Sequence, residues 1–170
     1  MNTMHKPKEN EMGRQFIGIS EERLKHILGV SRKAYRIAKG RGHDEKFARK
    51  MFMAGWLHDV GYEFSTEQAQ HPHESGELIR LIAGDGSGKQ SAVEKAVRIH
   101  GRYAEEETEE YVILNMADML ISSEGKEISV LERLDEIGSR YGEYSDQYLT
   151  ACDICFRIGL TAENMAGKVT

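Results

Sequence analysis

Apolar residues recur at intervals of three and four along most of this chain, and strand-like alternation is hard to find. The pattern predicts a helix from Ser20, whose hydroxyl suits an N-cap, to about Ala38. "KGRGHD" breaks it. Asp44 caps a second helix running to about Asp59, where Gly61 stops it. A third helix begins near Pro72 and ends at Ala83. After the loop "GDGSGK" a fourth covers about Ser91 to His100, and a fifth about Thr108 to Ser122. "EGKE" is a turn, and one or two helices fill residues 129 to 165. No repeat and no long linker divides the chain. The expected fold is an all-α, single-domain helical bundle. Its expected parts are a flexible N-terminal tail (1–19), a core carrying the site (20–122) and a helical extension of the same domain (123–170).

Bulk composition narrows the class. A chain of 170 residues can bury a sizeable core without staples. Hydrophobic residues at 39% and charged residues at 30% are those of an ordinary globular protein. The net charge of -5 argues against nucleic-acid binding through a basic surface. No apolar run is long enough to span a bilayer. "MNTMHKPKENEMGRQ" lacks the apolar segment of an export signal. With only Cys152 and Cys155 available for disulfides, the expected location is the cytoplasm.

Within this pattern the stretch "MFMAGWLHDVGY" stands apart. His58 continues the helical column Phe47, Met51, Ala54, and Asp59 continues Ala48, Phe52, Gly55. Both columns are apolar, so an imidazole and a carboxylate enter the core together. A buried carboxylate is costly without a cation, strong donors or a metal. Other segments supply matching groups on apolar columns. His100 follows Val93, Ala96 and Val97; Asp118 lies with Tyr111, Leu114 and Ile121; His71 heads Ser75, Leu78 and Ile82; His26 sits among Leu24, Ile27, Leu28 and Val30. Mixed imidazole and carboxylate ligands suit iron, manganese, zinc or nickel better than magnesium or calcium. Helical bundles build metal sites from facing helices in this way.

Single histidines on apolar faces are more often satisfied core residues than ligands. The joint occurrence, each group on its own helix, moves the balance to metal binding. The chain also holds its own controls. His43-Asp44 lies in a loop without an apolar column and reads as cap and solvent. His73 shares a face with Gly76, Glu77 and Arg80, so His71 is the preferred ligand. "AGDGSGKQS" lacks the glycine and hydroxyl residue of a phosphate loop. "CDIC" reads as a reduced pair one helical turn apart, and "EEETEE" as a solvated first turn.

The ordered set His26, His58-Asp59, Asp118, within "RLKHILGVSRKAYRIA", "AGWLHDVGY" and "NMADML", resembles the HD superfamily of metal-dependent phosphohydrolases. "HPHESGELI" and "VRIHGRY" are similar to the extra histidine motifs of members that hold two metals. The nearest resemblance is to hydrolases that cleave diadenosine tetraphosphate symmetrically and to small HD proteins with an "HDVGY" segment. The diadenosine enzymes usually carry a Lys where Tyr62 stands and an acidic continuation where this chain has "MLISS".

The resemblance implies that His26, His58, Asp59 and Asp118 hold one divalent ion, iron or manganese being favoured. His71 and His100 complete a second, with Asp59 as bridge, and His58 and Asp59 are the catalytic pair. Two ions and two aspartates leave about +2 at the centre, which favours a compact anion. The implied activity is hydrolysis of a phosphate ester or anhydride of a nucleotide-like molecule, with Lys33, Arg36, Arg102 and Lys126 as candidate phosphate contacts. A homodimer is compatible with it. Two other readings stand beside it: a one-metal nucleoside monophosphate phosphatase, and a non-catalytic ligand-sensing module with a structural metal.

Overall fold

The computed structural model describes residues 13–84 and 86–160. Seven helices carry them: α1 (Glu21–Gly40), α2 (Glu45–Leu57), α3 (His71–Ala83), α4 (Ala92–Ile99), α5 (Glu109–Met119), α6 (Val130–Tyr141) and α7 (Asp146–Arg157). Short 3-10 turns at Val60–Glu63 and Gln68–Gln70 join α2 to α3. No strand occurs among the described residues; extended pairing is limited to isolated bridges such as Ile121 with Glu127. The bundle is all-helical and forms one domain.

Local chemistry sets most helix starts. Ser20, Asp44, Ser91, Thr108, Ser129 and Ser145 each accept from the backbone N–H three residues on. Each removes one of the unpaired donors that a helix start leaves. The third helix has Pro72 in its first turn, where a missing N–H costs nothing.

The predicted stop at Gly61 is corrected. The second helix ends at Leu57, and the chain continues through the 3-10 turn without a left-handed residue there. Gly61 is needed for a different reason. A Cβ at this position would lie 2.0 Å from the His71 carbonyl oxygen and 2.6 Å from the Ser75 nitrogen. The turn after the His-Asp pair therefore packs backbone to backbone on the start of α3. A second close approach brings Gly55 of α2 against α1, where a Cβ would meet Ser31 Cα at 2.7 Å.

The core runs between α1, α2, α4 and α5. Val30, Ala34, Ala38, Ala48, Met51, Ala54, Ala96, Val97, Ile113, Leu114 and Ala117 have no exposed surface. α5 is buried nearly all round, from Tyr111 to Met119. Of the acidic stretch at its start, Glu105, Glu106 and Glu107 are exposed, whereas Glu109 binds Arg41 and His43 and Glu110 binds Lys50. Ile82, placed on the inward His71 column, is instead 60% exposed. α6 buries Leu134 and α7 buries Ile154 and Cys155 in the core, and Gly138 of α6 lies against the Tyr148 ring of α7. Burial pushes the Cys155 thiol up to about 12, as suits an unreactive thiol.

Most of the predicted tail, residues 1–12, lies outside the described residues. From Ile17 the chain is held: Ile17 and Gly18 donate to the Ser65 and Tyr62 carbonyls at 2.8 and 2.9 Å. Among the described residues no helix is long and apolar enough to cross a membrane.

Candidate metal centre

Helix ends deliver most of the site. His58 caps the C-terminus of α2, and Asp59 begins the following 3-10 turn. His71 opens α3, His100 closes α4, and Asp118 stands in the last turn of α5. His26 comes from within α1.

Each imidazole is oriented by its own Nδ1. His58 donates to the Gly55 carbonyl (2.6 Å), His71 to Gln68 (2.5 Å) and His100 to Val97 (2.6 Å). All three carbonyls belong to the residue three positions earlier. His26 donates to the Ser122 carbonyl at 2.9 Å. A carbonyl only accepts, so Nδ1 carries a proton, and the neutral form of each ring presents an Nε2 lone pair.

Those lone pairs converge on two carboxylates. His26 Nε2 is 3.0 Å from Asp118 Oδ1, and His58 Nε2 is 3.5 Å from Asp59 Oδ2. On the other side, His71 and His100 Nε2 lie 3.1 and 3.4 Å from Asp59 Oδ1 and 3.3 Å from each other. Two groups result, His26–His58–Asp59 and Asp59–His71–His100, each with ligand atoms within 4.8 Å of one another. Asp59 belongs to both and turns one oxygen toward each. His58 Nε2 is buried without a hydrogen-bond partner. Nitrogen lone pairs facing carboxylate oxygens, with one buried nitrogen that has no hydrogen-bond partner, are a donor set that a divalent cation satisfies, so these residues fit one.

Electrostatics agree. Burial opposes charge on Asp59, but His58, His100, His71 and Arg23 hold its carboxyl well below the usual range. Burial likewise opposes charge on Asp118, and His26 with Arg133 overcome it. Burial pushes His58 down to about 4, keeping it a neutral donor of electrons. For His100 burial also lowers the pKa, yet the Asp59 carboxylate raises it overall.

These shifts predict a stability maximum for the ion-free protein. Below pH ~6.5 the unfolded chain takes up a proton at residue 58 that the fold refuses, so stability falls by about 3 kcal/mol down to pH 4. The raised His100 works in the other window: its contribution is complete below pH ~6.5 and is lost as pH rises through its folded pKa. Urea denaturation of chelator-treated protein should peak near pH 6.5, and His58→Gln should flatten the acid side. A flat acid limb in the unsubstituted protein would contradict this burial of a neutral His58.

The six predicted metal ligands meet here. His73 does not; its Nδ1 lies 2.9 Å from Arg98 Nη1. His43 is also elsewhere, paired with Glu109 at 2.8 Å and stacked on Phe47, while Asp44 caps α2. Three of the four candidate phosphate contacts lie away from the site. Lys33 and Arg36 both bind Glu127, and Lys126 binds Glu124 on the surface. Opposite charges close by satisfy them, and none lines the cleft at the site.

Of the four, only Arg102 reaches that cleft, which measures about 670 Å³ and runs from the histidines to α6 and α7. Arg23, Arg133 and Arg140 also line it and were missed. Arg23 Nη1 lies 2.6 Å from Asp59 Oδ2, with its guanidinium 4.3 Å over the Tyr62 ring. Tyr62 in turn stacks on His71 at 3.9 Å. Signals existed for all three: Arg23 stands one helical turn before His26, and Arg133 and Arg140 are two turns apart on one face.

An all-helical bundle with two His/Asp clusters sharing one aspartate defines a protein able to coordinate a divalent metal. The model of the HD domain family matches residues 23–137, and the chain belongs to that family. Family and clusters together make it a metal-dependent phosphohydrolase of the HD type. No curated protein and no solved structure matches the chain.

Proposed function

We propose that the chain hydrolyses a phosphate ester or anhydride of a nucleotide-like molecule in the cleft beside His58 and Asp59. The observation that carries this is the sharing of Asp59 between the two histidine clusters. In this reading His26, His58, Asp59 and Asp118 hold one ion, and Asp59, His71 and His100 hold a second. Imidazole and carboxylate donors favour manganese or iron. Such ions, when bound, act as Lewis acids and lower the pKa of water toward neutrality.

The chain's own residues do the rest. Four Nδ1–H bonds to backbone carbonyls hold the rings in one tautomer and orientation. The Tyr62 ring fixes the plane of His71. Arg102 is tied to the Ala69 carbonyl and keeps further N–H groups for a phosphoryl oxygen. A cleft of about 670 Å³ matches the size of pockets that enclose small organic ligands such as a nucleotide.

Metal analysis and a screen of phosphorylated metabolites test this reading together. Two manganese or iron ions per chain and phosphate release from a nucleotide are expected. One ion per chain, with His71 and His100 free, would favour the one-metal monophosphatase. Full occupancy without turnover on any nucleotide would favour the sensing module.

A further inference from the structure

A smaller polar recess of about 230 Å³ adjoins the metal centre. His26 and three arginines, Arg23, Arg133 and Arg140, line both it and the main cleft, so the two cavities meet across these side chains. Ser20 and Ser123 also line it, and Glu22 is the one carboxylate residue in its lining. Of the three guanidinium groups, Arg23 is paired with Asp59 at 2.6 Å and Arg133 with Glu136 at 2.8 Å, so among the described residues the uncompensated positive charge of the recess is that of Arg140.

Their hydrogen-bonding capacity is largely unspent. Arg133 is 12% exposed; it gives Nη1 to Glu136 at 2.8 Å and reaches Asp118 with Nη2 only at 3.4 Å. Its Nε is buried without a partner. Glu136 also accepts from the Ser123 N–H at 3.1 Å, which fixes Arg133 to the loop after α5. Arg140 has no ion-pair or hydrogen-bond partner among the described residues. An unsatisfied buried guanidinium N–H beside a polar cavity calls for an acceptor. Guanidinium forks match phosphate oxygens in pairs. The recess is too small for a nucleoside, since pockets for drug-sized ligands begin at roughly 300 Å³.

We infer that Arg23, Arg133 and Arg140 frame a subsite for a phosphate group beside the metal centre, separate from the phosphate that is cleaved. Arg133 stands at the Asp118 end, and Arg140 is seven residues further along α6, about 10 Å by helix rise. A substrate with two or more linked phosphates places one at the metal centre and the next in this recess. Free inorganic phosphate offers the same oxygens, and the test separates the two sources. The existence of the subsite stands apart from the hydrolase reading; only the assignment to the substrate's own second phosphate rests on it.

The first arm is calorimetric titration of inorganic phosphate into chelator-treated full-length protein, comparing the unsubstituted chain with Arg140→Gln and Arg133→Lys. Binding that weakens at least tenfold in Arg140→Gln and less in the charge-retaining Arg133→Lys is expected. Equal binding by all three, or none by the unsubstituted chain, overturns the subsite. Arg140 is exposed, so a melting curve matching the unsubstituted protein is the check on its fold.

The second arm measures the ratio of kcat/KM for a nucleoside diphosphate over its monophosphate with manganese-loaded protein. A tenfold or larger fall of that ratio in Arg140→Gln assigns the recess to the substrate's second phosphate. An unchanged ratio alongside weakened phosphate binding overturns that assignment and leaves free phosphate as the occupant. Phosphate binding without turnover of any nucleotide would instead sink the hydrolase reading and keep the subsite.

Discussion

Asp59→Ala is expected to empty both halves of the metal centre and to lower phosphate release at least ~10³-fold. Among the described residues no other side chain belongs to both clusters. Oδ1 faces His71 and His100, and Oδ2 faces His58 and Arg23. Truncation removes a negative charge from each cluster and leaves, among the described residues, four imidazoles with Asp118 as the remaining acid. Asp59→Asn, which keeps the shape and loses the charge, should behave nearly as badly. His43→Ala is the matched control, a second His-Asp dipeptide removed from the site. Its imidazole pairs with Glu109 at a partly exposed position, so its loss costs at most about 1 kcal/mol of stability and leaves metal content intact. Metal analysis and phosphate release on both variants decide the matter. Two ions retained by Asp59→Ala would remove the shared carboxylate from the centre.

Gly61→Ala is expected to destabilise the fold by about 3 kcal/mol and to cost the second ion before the first. The added methyl would overlap the backbone of His71 and Ser75, not a flexible side-chain tip. Gly61 N–H also donates to Ser75 Oγ at 2.7 Å, and Ser65 Oγ donates to the Gly61 carbonyl at 2.8 Å. The turn cannot retreat without breaking these bonds, so the start of α3 must move. His71 is the first residue of that helix, and its displacement opens the Asp59–His71–His100 group. His26 and His58, on α1 and α2, stay in place. Urea denaturation gives the stability change, and metal analysis should read close to one ion per chain. An alanine variant with full stability and two ions would show that the contact yields readily.

The six polar groups of the centre were legible as residues that continue apolar helical columns. That reasoning works because burial of a helix face is periodic and each column is local. The same columns favour His71 over His73 and set His43 apart, and of these three the structure places His71 beside Asp59. The column pattern failed where the answer depended on a partner from a distant segment. Lys33 and Arg36 are spent on Glu127, more than ninety residues away. Arg23, one turn from His26, was passed over because only the folded chain lays it on Tyr62 beside Asp59. Gly61 read as a stop signal, yet its small size answers to the backbone of α3.

Helix order, caps and the inward set of histidines and aspartates follow from the sequence alone, because 3.6-residue periodicity and side-chain capping act within a few residues. The tertiary structure alone decided how those groups divide into two clusters around Asp59, which arginines reach the cleft, and why residue 61 is glycine. Each of these depends on which helix faces meet, and no spacing along one segment encodes the distance to another.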